Sequence, residues 1–335
     1  MVEAVIPASI PSPPASWASF QIGIFTIHSY ALCILVGIVV GLVITSRRLT
    51  ARGAQPGVVV DFAICAVPLA IVCARAYHVL THPGDYFGGG HTFYDVIAIW
   101  NGGNAIFGAL IGGALGIWVA SRWTGVRFLS FADAMAPGLL VAQGIGRIGN
   151  WFNTELYGMP TTLPWGLQVP SDNPAFPLGL APGTLFHPTF LYELIWDVAG
   201  AVLLVAIEKK LVRPVRVPPR FTTRYPMRWG RALGFYLIWY GAGRSVFESI
   251  RIDPSEVFLG LRTNVWAAFL SIVVGIAVLI WSWRRHPGVE VSVYRPGREW
   301  VPEGLVGSRW TAADFSTTPA DEDARAVTSG AATRG

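Results

Sequence analysis

Arg147, Asn150, Asn153 and Glu155 lie close together in the segment GRIGNWFNTELYG (146–158), directly after the apolar run APGLLVAQGI. A second polar set interrupts FYLIWYGAGRSVFESIRIDPSE, where Tyr240, Arg244, Glu248 and Arg251 are spaced i, i+4, i+8, i+11. At about 100° per residue these four share one narrow stripe of a helix. An arginine at membrane depth costs roughly 2.5–3.5 kcal/mol on insertion scales, so each must be paired or functional. The guanidinium fork donates two parallel hydrogen bonds and suits phosphate. Taken alone, Arg244 and Glu248 are as well explained by a pair that pins the helix. Together with Arg147, Asn150 and Glu155 they read as a site for an anion, with Glu155 and Glu248 expected to hold the arginines.

The elements that must carry these residues follow from composition. Of 335 residues, 53% are hydrophobic and 13% charged, against about a quarter charged in soluble domains. That excess of apolar surface predicts an all-α polytopic membrane protein. Windows of spanning length fall near 27–46, 58–80, 104–121, 131–146, 189–207, 232–249 and 264–283, about seven transmembrane helices in all. The window 131–146 is short and carries Asp133 and Pro137, whose polar groups must face protein or water.

Basic residues follow alternate spans: Arg47, Arg48 and Arg52; Arg122 and Arg127; eight between Lys209 and Arg231; Arg284 and Arg285. This bias puts the N-terminus outside and the C-terminus in the cytoplasm. It also accounts for the net charge of +5 without nucleic acid. The organisation expected is an extracytoplasmic segment 1–26, a transmembrane catalytic domain 27–286 with an outer insert 147–188 and a basic cytoplasmic loop 208–231, and a disordered tail 287–335. The opening segment lacks the basic n-region of a cleavable signal peptide.

The remaining residues carry weaker signals. Cys33, Cys65 and Cys73 sit in apolar stretches and read as buried free thiols. Gly108, Gly112 and Gly116 suggest close helix packing, or room for an acyl chain. Tyr30 near the start of the first span is either an interface anchor or part of the site. His187 and Pro188 read as a helix entry, and Asp133 as a partner for a buried donor. There is no metal-ligand spacing and no nucleotide loop, so neither a metal nor a cofactor is expected.

GRIGNWFNTELYG resembles the signature of the bacterial prolipoprotein diacylglyceryl transferases, roughly G-R-x-G-N-F-x-N-x-E-x-x-G. YGAGRSVFESIR, HPTFLYE, ADAMAP and IHSYALCIL extend the resemblance over residues 28 to about 254. The resemblance implies transfer of the diacylglyceryl group of phosphatidylglycerol to the lipobox cysteine of a preprolipoprotein signal peptide. A thioether forms and glycerol 1-phosphate leaves, at the outer face of the bacterial plasma membrane. It implies catalytic roles for Arg147, Arg244, Glu155 and Tyr30. Phosphatidylglycerol would be bound by Arg147, Asn150, Asn153, Tyr240, Arg244 and Glu248, with Gly108 giving room. Membrane lipids are the other expected partners. Many family members carry His-Gly-Gly in the third span; here Phe107 takes the histidine position, followed by Gly108 and Ala109. The group that removes the thiol proton is left open among a carboxylate, Tyr30 and water. A transporter of an anionic solute is the competing reading of intramembrane arginines.

Overall fold

Apolar runs long enough to cross a bilayer form helices along most of the chain. The computed structural model describes residues 9–23, 25–87, 90, 92–210, 228–286, 290 and 292–300. His91, the centre of the basic loop and the tail past residue 300 lie outside the described residues.

A hairpin of β1 (Ser19–Ile22) and β2 (Phe25–His28) pairs antiparallel, with Ser19 opposite His28, and leads into α1 (Ser29–Ala51). Then follow α2 (Val58–Thr81), the short α3 (Phe93–Ile97), α4 (Ile106–Thr124) and α5 (Phe128–Asn153). The two-residue strands β3 (Leu167–Gln168) and β4 (Leu185–Phe186) precede α6 (Thr189–Lys210) and α7 (Arg231–Ile250). A second hairpin, β5 (Val257–Phe258) and β6 (Leu261–Arg262), enters α8 (Thr263–Arg285).

Among the described residues six helices, α1, α2, α4, α5, α6 and α8, are long and apolar enough to cross a membrane. Each matches a window expected from the sequence. The seventh window corresponds to α7, whose Tyr236, Tyr240, Arg244 and Glu248 lower its hydropathy. The helix that least resembles a span is thus one that carries candidate site residues. Val39, Ile64, Val72, Ile111, Val202 and Leu270 are exposed on the spanning helices, as expected of surfaces whose solvent is lipid.

The short window 131–146 belongs to a helix of 26 residues, and α5 runs through both Pro137 and Arg147. Asp133 explains how its polar interior is tolerated. The carboxylate is fully buried and accepts the backbone N–H groups of Gly230 (2.8 Å) and Leu233 (2.9 Å). It therefore caps the N-terminus of α7 from a neighbouring helix, satisfying donors that the helix cannot.

Contacts divide the chain into two units. One takes in α1 up to Thr45, α5 from Asp133, and α6, α7 and α8. Its core includes Ala136, Leu140, Ala201, Leu204, Ala232 and Tyr236. Here α6 and α7 are locked by a reciprocal clasp. The Trp196 and Trp239 rings stack at 4.3 Å, and each indole N–H donates to the other residue's carbonyl at 3.0 Å. Gly200 and Gly243 leave room for the indoles, since a methyl group at either would collide with one. The clasp sets the register of α6 against α7, and with it every side chain the two helices present to each other.

The other unit holds the remainder of α1, α2, α3, α4, the start of α5, and residues 290 and 292–300. Gly108, Gly112 and Gly116 let α4 sit on the α2 backbone at Cys73, Leu69 and Ala66. The space at Gly108 is filled by the Cys73 carbonyl and Tyr77, so the expected room for an acyl chain is not there; close helix packing accounts for it. Buried Arg75 donates to the carbonyls of Val96 and Gly103 and to the Tyr86 hydroxyl, each at 2.9 Å, tying the segment after α2 to that helix. The three cysteines are free, and each is half-exposed rather than buried.

Candidate active site

The signature segment takes its shape from the end of α5. Arg147 and Asn150 lie on the last turns of the helix, and the chain then reverses through Thr154 and Leu156, both with positive φ. Neither residue type favours that backbone region. The reversal brings Glu155 back to the helix end. Its carboxylate accepts the side-chain amides of Asn150 (3.0 Å) and Asn153 (3.2 Å). Tyr30, on the first turn of α1, lies against Gly149, where a methyl group would come within 2.6 Å of its ring.

Arg147 itself is held by another helix. Its guanidinium meets the Glu193 carboxylate of α6 at 2.7 Å, and Arg244 of α7 lies 3.9 Å from the same oxygen. One carboxylate, 6% exposed, thus bridges the two arginines. The expectation that Glu155 holds the arginines is corrected on this point: it orders the two asparagines, and Glu193 pairs with Arg147. Glu248 does hold Arg244, at 2.9 Å.

Glu248 is also the centre of a larger network. It is fully buried, and it faces Arg251 at 3.4 Å, Arg262 at 3.1 Å and the Asn264 amide at 3.0 Å. Arg251 continues outward by a bidentate pair with Asp253, at 2.7 and 2.9 Å. Burial opposes the Arg251 charge, but Asp253 and Glu248 outweigh it and hold the guanidinium above the usual arginine range. Arg147, Arg244, Arg251 and Arg262 therefore meet the paired carboxylates Glu193, Glu248 and Asp253. With Asp197 beside Arg147, four guanidiniums meet four carboxylates in this cluster.

Tyr240 and Arg244 line a small cleft together with Glu193, Trp196 and Asp197. The structure thus gathers Arg147, Tyr240, Arg244 and Glu248, as their types and spacing suggested. Asn150, Asn153 and Glu155 form their own cluster at the end of α5, with Tyr30 against the same turn. Glu193, Asp197, Arg262 and Asn264 were not singled out from the sequence. Glu193 and Asp197 did leave a signal: two carboxylates at i and i+4 share one face of an otherwise apolar helix.

Residues 18–281, which include this whole network, match the family described as prolipoprotein diacylglyceryl transferase. The chain belongs to that family. A phosphatidylglycerol–prolipoprotein diacylglyceryl transferase from Leifsonia xyli subsp. xyli (strain CTCB07) is 53% identical over 311 residues, covering 90% of this chain and 89% of its own. One from Bifidobacterium longum (strain DJO10A) is 42% identical over 292 residues, covering 84% and 87%. A third, from Paenarthrobacter aurescens (strain TC1), is 44% identical over 278 residues, covering 81% and 82%. Family membership gives the departure at Phe107 its interest. The ring is 36% exposed and tilts against Tyr77 at 6.3 Å, an apolar packing role with no capacity to carry a proton.

Proposed function

We propose that this multi-pass membrane protein transfers the diacylglyceryl group of phosphatidylglycerol to the lipobox cysteine thiol of a preprolipoprotein, releasing glycerol 1-phosphate. The observation that carries this reading is the pair of arginines drawn from separate helices onto one bridging carboxylate. As the glyceryl carbon passes from oxygen to sulfur, the phosphate gains negative charge, and cations preorganised at that point lower the barrier. Arg147 and Arg244 receive the phosphate, displacing their contacts to Glu193. Tyr240 lines the same cleft, Asn150 and Asn153 are held by Glu155 for the headgroup, and Glu248 keeps Arg244 aimed. Tyr30 packs on the signature turn and supports its position. The relatives' shared name supports this reaction over transport of an anionic solute. The direct test is to incubate purified protein with labelled phosphatidylglycerol and a lipobox peptide. A mass gain of one diacylglyceryl group on the cysteine is expected; no gain with active relatives run in parallel would refute the reading.

The site faces the outer leaflet of the bacterial plasma membrane in this proposal, with the N-terminus outside and the C-terminus inside, because basic residues gather at the opposite helix ends. In a background lacking the native cysteines, an impermeant thiol reagent added to intact cells should label Leu178→Cys and spare Arg284→Cys. Both positions are exposed. The reverse pattern would overturn the orientation.

A further inference from the structure

One helical turn past Glu193, α6 carries a second carboxylate. Asp197 is 6% exposed, and among the described residues no side chain or backbone group donates a hydrogen bond to it or pairs with it. Its charged neighbours are Arg147 of α5 and Glu193 on its own helix. It opens on the cleft that Tyr240 and Arg244 line from α7. A buried carboxylate without a partner is expensive, the more so within an apolar helix. Asp133, by contrast, accepts two backbone N–H groups, and Glu248 is answered by Arg244, Arg251, Arg262 and the Asn264 amide. At Asp197 the nearby charge of Arg147 offsets part of that cost, but no hydrogen bond does among the described residues.

We propose that Asp197 accepts the proton of the lipobox thiol, an assignment that rests on the transfer reaction proposed above. Displacement at the glyceryl carbon is in line, so sulfur enters on the side opposite the departing phosphate oxygen. With the phosphate between Arg147 and Arg244, the entering sulfur in this proposal lies toward the middle of α6, where Asp197 lines the same cleft as Arg244. Four residues at about 1.5 Å rise each put Asp197 roughly 6 Å past Glu193 in that direction. A free thiol with a pKa of about 8.5 is only a few per cent ionised at neutral pH, so the reaction gains from a base. Phe107 cannot serve. The S–H bond breaks as the S–C bond forms, and the C–O electron pair leaves on the phosphate oxygen. The proton rests on Asp197, then passes to glycerol 1-phosphate or water, restoring the carboxylate. No oxidant, reductant or further reactant is needed.

The experiment compares two nucleophiles on the full-length protein in phosphatidylglycerol vesicles. Asp197→Asn keeps the side-chain shape and removes the basic oxygen. With a cysteine lipobox peptide, turnover should fall by about 10²–10⁴-fold, the usual worth of a general base, with the KM for phosphatidylglycerol nearly unchanged. With a selenocysteine peptide, whose selenol is already ionised at neutral pH, wild type and Asp197→Asn should differ by less than about tenfold, or about 1.4 kcal/mol. Asp197→Glu, which retains a carboxylate, should recover part of the cysteine rate. A purely structural role would depress both nucleophiles equally, and that result overturns the proposal, as does an unimpaired Asp197→Asn. If Asp197→Asn does not fold, the same two-nucleophile ratio is read on Asp197→Ser, with equal losses again counting against the proposal. Wild type that transfers to neither peptide would instead remove the transfer reading itself.

Discussion

Arg147→Ala and Arg244→Ala should each abolish diacylglyceryl transfer while the protein stays inserted and folded. In the proposed mechanism each guanidinium stabilises the phosphate as it gains charge, and losing one such preorganised donor typically costs about 10²–10³ in rate. A cation rather than a neutral donor is lost here, so about 10³-fold is expected for either variant. Lysine should rescue poorly, to no more than about a tenth of the wild-type rate, because a point charge cannot reproduce the two-pronged contact. The loss could instead arise from stranding Glu193, which pairs with Arg147 at 2.7 Å. The double variant Arg147→Ala/Glu193→Gln separates these causes, since it removes the stranded charge without restoring phosphate contact. It should remain inactive. Near-normal turnover in both lysine variants, or recovery in the double variant, would sink the phosphate-clamp argument.

The largest effect on stability is expected at Glu248. Its side chain is fully buried and answers Arg244, Arg251 and Arg262. Glu248→Ala leaves those guanidiniums facing one another in a poorly solvated space, and breaking a buried pair from one side costs about 3–5 kcal/mol. Against a typical total stability of about 5–15 kcal/mol, that is a large share. The variant should therefore accumulate poorly and melt well below wild type in detergent, measured by fluorescence-detected size exclusion after heating. Glu248→Gln keeps the volume and can still accept from Asn264, so it should fold better than the alanine variant yet transfer slowly, with Arg244 no longer anchored. A Glu248→Ala protein that melts like wild type would show that solvent or lipid phosphate already compensates these arginines, and the network would lose its structural role.

Much of this architecture is a local property of the chain. Hydropathy over about twenty residues is enough to mark a span, so the long helices were legible, including α7 despite its polar stripe. The helical repeat likewise puts Tyr240, Arg244 and Glu248 on one face, because i and i+4 neighbours share a face whatever surrounds them. Helix ends were less legible. The window ending at residue 146 hid the continuation of α5 to Asn153, since polar residues at a helix end and polar residues in a loop have the same composition. Asp133 was recognisable as the partner of a buried donor, but not which donor it would find.

Which groups meet across helices belongs to the tertiary structure. Glu155, close to Arg147 in sequence, turns back onto Asn150 and Asn153 because Thr154 and Leu156 reverse the chain. Glu193, far along the chain, reaches Arg147 because α6 packs beside α5, and the Trp196–Trp239 clasp brings Arg244 toward the same carboxylate. Glycine at position 108 was compatible with either lipid or protein against it; the approach of α2 fills the space with a backbone carbonyl. Residue types and spacing along one helix determine what a face offers, whereas packing between helices determines which charge is answered. It leaves Asp197 of α6 open on the cleft and surrounds Glu248 of α7 with arginines.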